Sequence, residues 1–142
     1  MPPTDTNCPV TARKKLTFYG VDQDDDSLVR AVIAGRKTVT ADTVPDYYRG
    51  YGELGDGGYA PGDLIEVFDL RGRARCLIRA TRVEIIRFGQ VPERVWRGED
   101  FDSAAAFQEC HRQALAHLDL QDDVELVALH FALVDVVEPR SY

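Results

Sequence analysis

Cysteine is scarce and irregularly placed in this chain: Cys8, Cys76 and Cys110 are an odd set without C-x-x-C spacing, and the three histidines form no ligand pair with them. That pattern argues against a disulfide framework and against structural zinc. Cys76 sits in an apolar run and Cys110 in a helical one, so both are expected as small core residues rather than nucleophiles. Long hydrophobic runs are missing as well. The segment MPPTDTNCPVTARKK has cations but no apolar stretch behind them, so it reads as neither a secretory signal nor a membrane anchor. The expectation is a soluble, cytoplasmic protein without membrane contact. There is no internal repeat and no interdomain linker. With 142 residues and 44% hydrophobic content the chain suffices for one core, read as a flexible tail over residues 1–15 and a single domain over 16–142.

Positive charge is in deficit overall, with a formal net charge of −7, which repels phosphate backbones on average and argues against a general nucleic-acid coat protein. The average conceals a pattern. From Arg71 to Arg97 eight arginines stand against two glutamates, a local net charge of +6, and the rest of the chain carries −13. A locally basic surface on an acidic protein can hold an anionic ligand; the ordinary alternative is a solvated sheet face with scattered arginines.

The order of elements is legible from periodicity. KLTFYG is a short strand, and DQDDDSLVRAVIAGRK a helix with acids and Ser27 at its start, an apolar stripe of Leu28, Val29, Val32 and Ile33, and Gly35 as the residue just past its end. KTVTA follows as an extended segment. Residues 42–61, DTVPDYYRGYGELGDGGYAP, form a long loop rich in glycine and tyrosine, suited either to a lid or ligand contact or to a surface insertion. GDLIEVFD is a strand. In RARCLIRATRVEIIRF the apolar parity changes near Thr81 and Arg82, which predicts a bulge or bend there. VPERVWRGED is a short helical turn, DSAAAFQECHRQALAHL an amphipathic helix capped at Asp102 or Ser103, and DVELVALHFALVDVVE a long strand. The fold class is α+β and rich in β-structure, a small mixed barrel with helices packed at its ends.

Lys37, Thr38, Thr40 and Glu99 stand out chemically. A lysine just after a helix has a simple structural role beside the negative helix end, and Glu99 in RGED can likewise be a surface acid near a helix start. Together they permit another logic. A threonine hydroxyl becomes a nucleophile when a neighbouring base takes its proton, a desolvated lysine can be that base, and a glutamate can orient it. One geometric condition applies: on a flat strand Lys37 and Thr40 point to opposite faces, so cooperation requires a bend between them.

LVRAVIAGRKTVTADT, Gly62–Asp63, RCLIRATRVEIIRFGQVP, GED at 98–100, a helix bearing ECH and a closing LHFALVDVV resemble the ASCH domain family, a branch of the PUA-like barrels. The resemblance runs from about Tyr19 to Val137, and G-x-K-T-x-T is its most specific part. It implies a β-barrel with a cleft lined by the G-x-K segment, and RNA-related work. Some small members are amidohydrolases that remove the acetyl group from N(4)-acetylcytidine. Carried over, Lys37, Thr40 and Glu99 are the catalytic residues: Thr40 attacks the acetyl carbonyl, Lys37 activates it and Glu99 holds the lysine. Other members resemble RNA-binding modules or metal-assisted ribonucleases.

This chain departs from the smallest amidohydrolases in its length, its tyrosine-rich loop and the local setting of its GED. The expected ligand is thus a modified nucleoside or a single-stranded RNA. Arg36, Thr38, Tyr47, Tyr48, Tyr59, Arg71, Arg73 and Arg75 are the candidate contacts, with Tyr51 a further stacking candidate in the loop. No cofactor is expected for the amidohydrolase, a divalent ion for the ribonuclease, and no obligate protein partner for either. A non-catalytic binding domain would keep Lys37 as a ligand-holding cation without chemistry at Thr40.

Overall fold

Strand pairing organises the chain. The computed structural model describes residues 14–18, 20–44 and 58–137, with strand β1 (Lys14–Thr17), helix α1 (Ser27–Ile33), strands β2 (Val39–Thr43), β3 (Leu64–Phe68) and β4 (Ala74–Arg87), helices α2 (Glu93–Gly98) and α3 (Ala104–Ala114), and strand β5 (Glu125–Val136). The strands form one mixed sheet in the order β1-β3-β4-β5-β2, curled into a half-barrel. β1 pairs with β3 in parallel, and the other neighbours are antiparallel. β1 begins at Lys14, just ahead of the domain start expected at residue 16.

The bend expected near Thr81 is present. The register of β4 against β5 shifts between Ala80 and Arg82, so Ile78 and Ala80 face one side before it and Ile86 the other side after it, both inward. A one-residue shift is what lets a 14-residue strand keep an apolar face while the sheet curls.

The sheet is covered on both faces, which is why Leu126, Val127, Ala128 and Leu129 of β5 are all fully buried in sequence. Val127, Leu129 and Phe131 pack with Leu16, Phe18, Ile65, Ile78 and, from α1, Val29 and Val32. Leu126 and Ala128 pack on the opposite side with Val39, Ile86, Phe88, Val95 of α2 and Phe107 of α3. Burying a side chain of this size removes roughly 1.5–3 kcal/mol worth of exposed apolar surface, so these two clusters are the main source of stability.

Local signals set the helix ends. α1 stops where Gly35 takes φ 82°, which a glycine adopts without strain. At its start Asp26 is the N-cap but makes no capping bond, because its carboxylate is turned to Arg30 and Arg75. Ser103 caps α3, its hydroxyl accepting from the Ala106 N–H at 3.0 Å. Cys76 is buried as expected. Cys110 is not: it lies exposed on α3, whose fully buried residue is Phe107. Among the described residues no helix is long and apolar enough to cross a membrane, and no group of three or more His, Cys, Asp or Glu is placed to hold a metal ion.

Candidate functional site

Two short segments run past each other in three consecutive rungs. Arg36 Nη1 meets Asp100 Oδ2 at 2.7 Å, Lys37 Nζ meets Glu99 Oε1 at 3.0 Å, and the Thr38 N–H donates to the Gly98 carbonyl at 2.6 Å. The first segment is the exit of α1, the second the exit of α2. Gly98 makes the approach possible: a Cβ there would sit 2.3 Å from Val39 Cγ2. Asp100 turns the chain away with φ 68°, a left-handed conformation that aspartate tolerates better than most residues.

The middle rung is the buried one. The Lys37 side chain is 2% exposed and that of Glu99 7%. The ammonium also donates to the Val39 carbonyl at 2.7 Å and lies 5.4 Å from the Phe18 ring centroid. Glu99 Oε1 is engaged, whereas Oε2 has no hydrogen-bond partner among the described residues. Its nearest polar neighbour is His111 Nε2 of α3, 3.7 Å away. A buried carboxylate oxygen left unmatched is costly and rare, so a group in this state marks a place where chemistry outweighs stability. The field of the pair reaches the neighbouring Cys110, whose thiol is pushed up by burial and then by Glu99, with Lys37 acting in the opposite direction.

The geometric condition on Lys37 and Thr40 is met by the chain path. Lys37 precedes β2; its N–H, like that of Arg36, still bonds the Ala31 carbonyl of α1, so strand alternation does not govern its side chain. Thr40 lies opposite Leu129 in the ladder, and directly opposed residues share a face. That face is the Phe18, Leu129 and Phe131 side, on which the Lys37 ammonium also lies. The half-buried Thr40 hydroxyl has no hydrogen bond among the described residues.

The other candidates fall elsewhere. Arg36 is spent on Asp100, and Thr38 is exposed, its backbone bonded to Gly98 and Phe131. Arg71 is paired with Asp24, Arg73 with Asp69, and Arg75 with both Asp26 and Asp69. These three therefore surround the start of α1 and the β3–β4 turn rather than the Lys37 end. Further along, Arg82 and Arg94 pair with Glu84, Arg97 pairs with Glu93, and Arg79 bonds the Gly62 carbonyl. The expected cationic face is thus largely self-neutralised. Tyr59 is buried in the core with its hydroxyl donating to the Lys15 carbonyl, a structural post rather than a stacking surface. Tyr47, Tyr48 and Tyr51 lie outside the described residues. Sequence reasoning missed Gly98, Asp100 and His111. The ladder that unites them joins positions more than sixty residues apart, and only a glycine directly ahead of Glu99 hinted at a close approach.

Comparison with known proteins fits this geometry. A family model described as ASCH domain matches residues 15–135. Among solved structures, protein EF3133 from Enterococcus faecalis V583 is 25% identical, with a TM-score of 0.62 over 75% of this chain. The chain spans 66% of that protein, just under two thirds. An ASCH domain from Lactobacillus crispatus JV V101 superposes with a TM-score of 0.68 at 21% identity, covering 85% of this chain and 80% of that one. The hypothetical protein PH0355 shares the fold at 13% identity with a TM-score of 0.56, covering 84% and 97%. No curated protein matches the sequence.

Proposed function

Because the chain belongs to the ASCH domain family, we propose that it is an amidohydrolase that removes the acyl group from N(4)-acetylcytidine-type nucleosides, with Lys37, Thr40 and Glu99 as its catalytic residues. The observation that carries the reading is the environment of the Lys37 nitrogen. Glu99 Oε1 and the Val39 carbonyl, at 3.0 and 2.7 Å, account for both hydrogens of a neutral amine. The remaining tetrahedral direction is then a lone pair, which is what a base needs. A hydrogen-bonded ammonium and carboxylate can pass their proton across, and burial narrows the gap between the ionic and neutral forms of such a pair.

In this scheme the Lys37 amine takes the Thr40 hydroxyl proton as Oγ bonds to the acetyl carbonyl carbon. The tetrahedral centre collapses by breaking the bond to the N4 nitrogen, which leaves with the proton that Lys37 holds. Cytidine departs and Thr40 carries an acetyl ester. Water then attacks the ester, Lys37 again taking and returning the proton, and acetate is released. No step draws on a metal ion. Self-neutralised arginines support a single nucleoside over an RNA strand as ligand, since a strand needs a continuous cationic track. Mass spectrometry of protein quenched during turnover tests the scheme: an acetyl adduct on the peptide containing Thr40, absent from Thr40→Ala, is the expected result. Turnover that Thr40→Ala leaves unchanged would remove the nucleophile from the account.

A further inference from the structure

We infer that His111 is a positioning residue that holds the pair's proton on the outer oxygen of Glu99 and so keeps Lys37 a free amine. For its catalytic consequence this rests on the amidohydrolase reading, whereas the proton link itself does not. The argument begins with the ring's other nitrogen. His111 Nδ1 lies 2.9 Å from the Phe107 carbonyl, which can only accept, so Nδ1 carries a hydrogen. In the neutral ring Nε2 is therefore a bare acceptor. It faces Glu99 Oε2 at 3.7 Å, and Oε2 has no other partner among the described residues.

Two acceptors facing each other in a buried place repel unless a proton lies between them. The side chains are only 12% and 7% exposed, and the ring cannot easily turn away. It is stacked on Phe107 at 4.0 Å between centroids and braced by Phe101 at 6.2 Å. With a neutral ring, one proton shared by Lys37 and Glu99 has two places to go. On Lys37 it leaves the Oε2···Nε2 repulsion in force; on Oε2 it converts that repulsion into an O–H···N hydrogen bond. His111 thus draws the proton to the far side of the carboxyl and away from Lys37. A second proton, making the ring an imidazolium, would donate to Oε2, fix Glu99 as carboxylate and hold Lys37 as ammonium. The charged and titratable groups around the ring are Glu99, Lys37 behind it, Cys110 beside it on α3, and Arg112, whose guanidinium is drawn to the Phe88 ring.

His111→Phe keeps the stacking and removes the acceptor. Its melting midpoint is expected to stay near that of the parent while kcat on N(4)-acetylcytidine falls about tenfold or more, KM unchanged, with the optimum displaced to higher pH. His111→Ala should regain activity on adding imidazole. A His111→Phe protein with the parent's kcat and pH profile would overturn the inference. Nitrogen-15 spectra of the imidazole provide a readout without catalysis. Replacing Glu99 by Gln should move the Nε2 signal and leave Nδ1 in place. If neither signal moves, the proton link is wrong. If the parent does not hydrolyse the nucleoside, the amidohydrolase reading fails separately and the ring spectra still decide the link.

Discussion

The two ends of α1 make an instructive contrast. The helix is seven residues, about 10 Å, long. At its start, Asp24 and Asp26 meet Arg71 and Arg75, and Asp69 accepts from Arg73 Nε and from the N–H groups of Arg71 and Arg73. Asp26 is held below the usual carboxylate range by the hydrogen bond from Arg75; burial pushes Asp69 up, but its bonds from Arg73 and Arg71 outweigh it. At the other end, Arg36 and Lys37 meet Asp100 and Glu99. Both ends are ion-pair clusters, and both were candidate sites. They differ in completeness: carboxylates at the first end have several donors each, whereas Glu99 keeps one buried oxygen unmatched. Saturated charge clusters hold a turn in place. An unsaturated buried one retains the capacity to accept a proton.

The largest expected break in this contrast is Lys37→Ala, which leaves Glu99 buried without its cation and should cost about 3–5 kcal/mol by denaturant titration. The paired replacement Lys37→Met with Glu99→Leu should recover most of that stability yet show no turnover, which separates folding from chemistry. Next is Gly98→Ala. The added Cβ meets Val39 and forces the two segments apart, with an expected loss of about 1–3 kcal/mol and a fall in kcat as Glu99 is displaced.

Acid sharpens the contrast through a third cluster. The Arg94 guanidinium, aided by His130 and opposed by burial, holds Glu84 down at about 2 from its model value of 4.5. A depressed carboxylate contributes stability above its unfolded value and loses it as pH falls through the folded one, so this contribution should fade between about pH 4.5 and 2. Arg94→Ala should move the acid unfolding midpoint upward, measured by circular dichroism. The smallest effect belongs to Arg71→Ala at the saturated end. Its pair with Asp24 is exposed, and both the melting midpoint and the turnover should stay within error of the parent.

How far the sequence carried this account depends on whether a feature is local. Strand periodicity, the Gly35 stop and the parity change in β4 are written in neighbouring residues, so the half-barrel and its bend were legible. Lys37 and Glu99 were legible as candidates through the resemblance, but their contact spans 62 positions and depends on Gly98 lacking a side chain. The arginines misled because sequence counts charge without showing its partners, and the acids that neutralise Arg71 and Arg75 lie 47 and 49 residues upstream. Cys110 misled because its helix turns chiefly Phe107 inward. His111 carried no signal of its own, since its importance comes from facing an oxygen on another element.

The most direct test is the release of cytidine from N(4)-acetylcytidine by the purified protein in the presence of a chelator, beside Thr40→Ala, the Lys37→Met/Glu99→Leu pair and Arg71→Ala. The account predicts release by the parent and by Arg71→Ala at the same rate, and none by the other two. No release by a folded parent protein, or release that survives loss of Thr40 and of the Lys37–Glu99 pair, would contradict it.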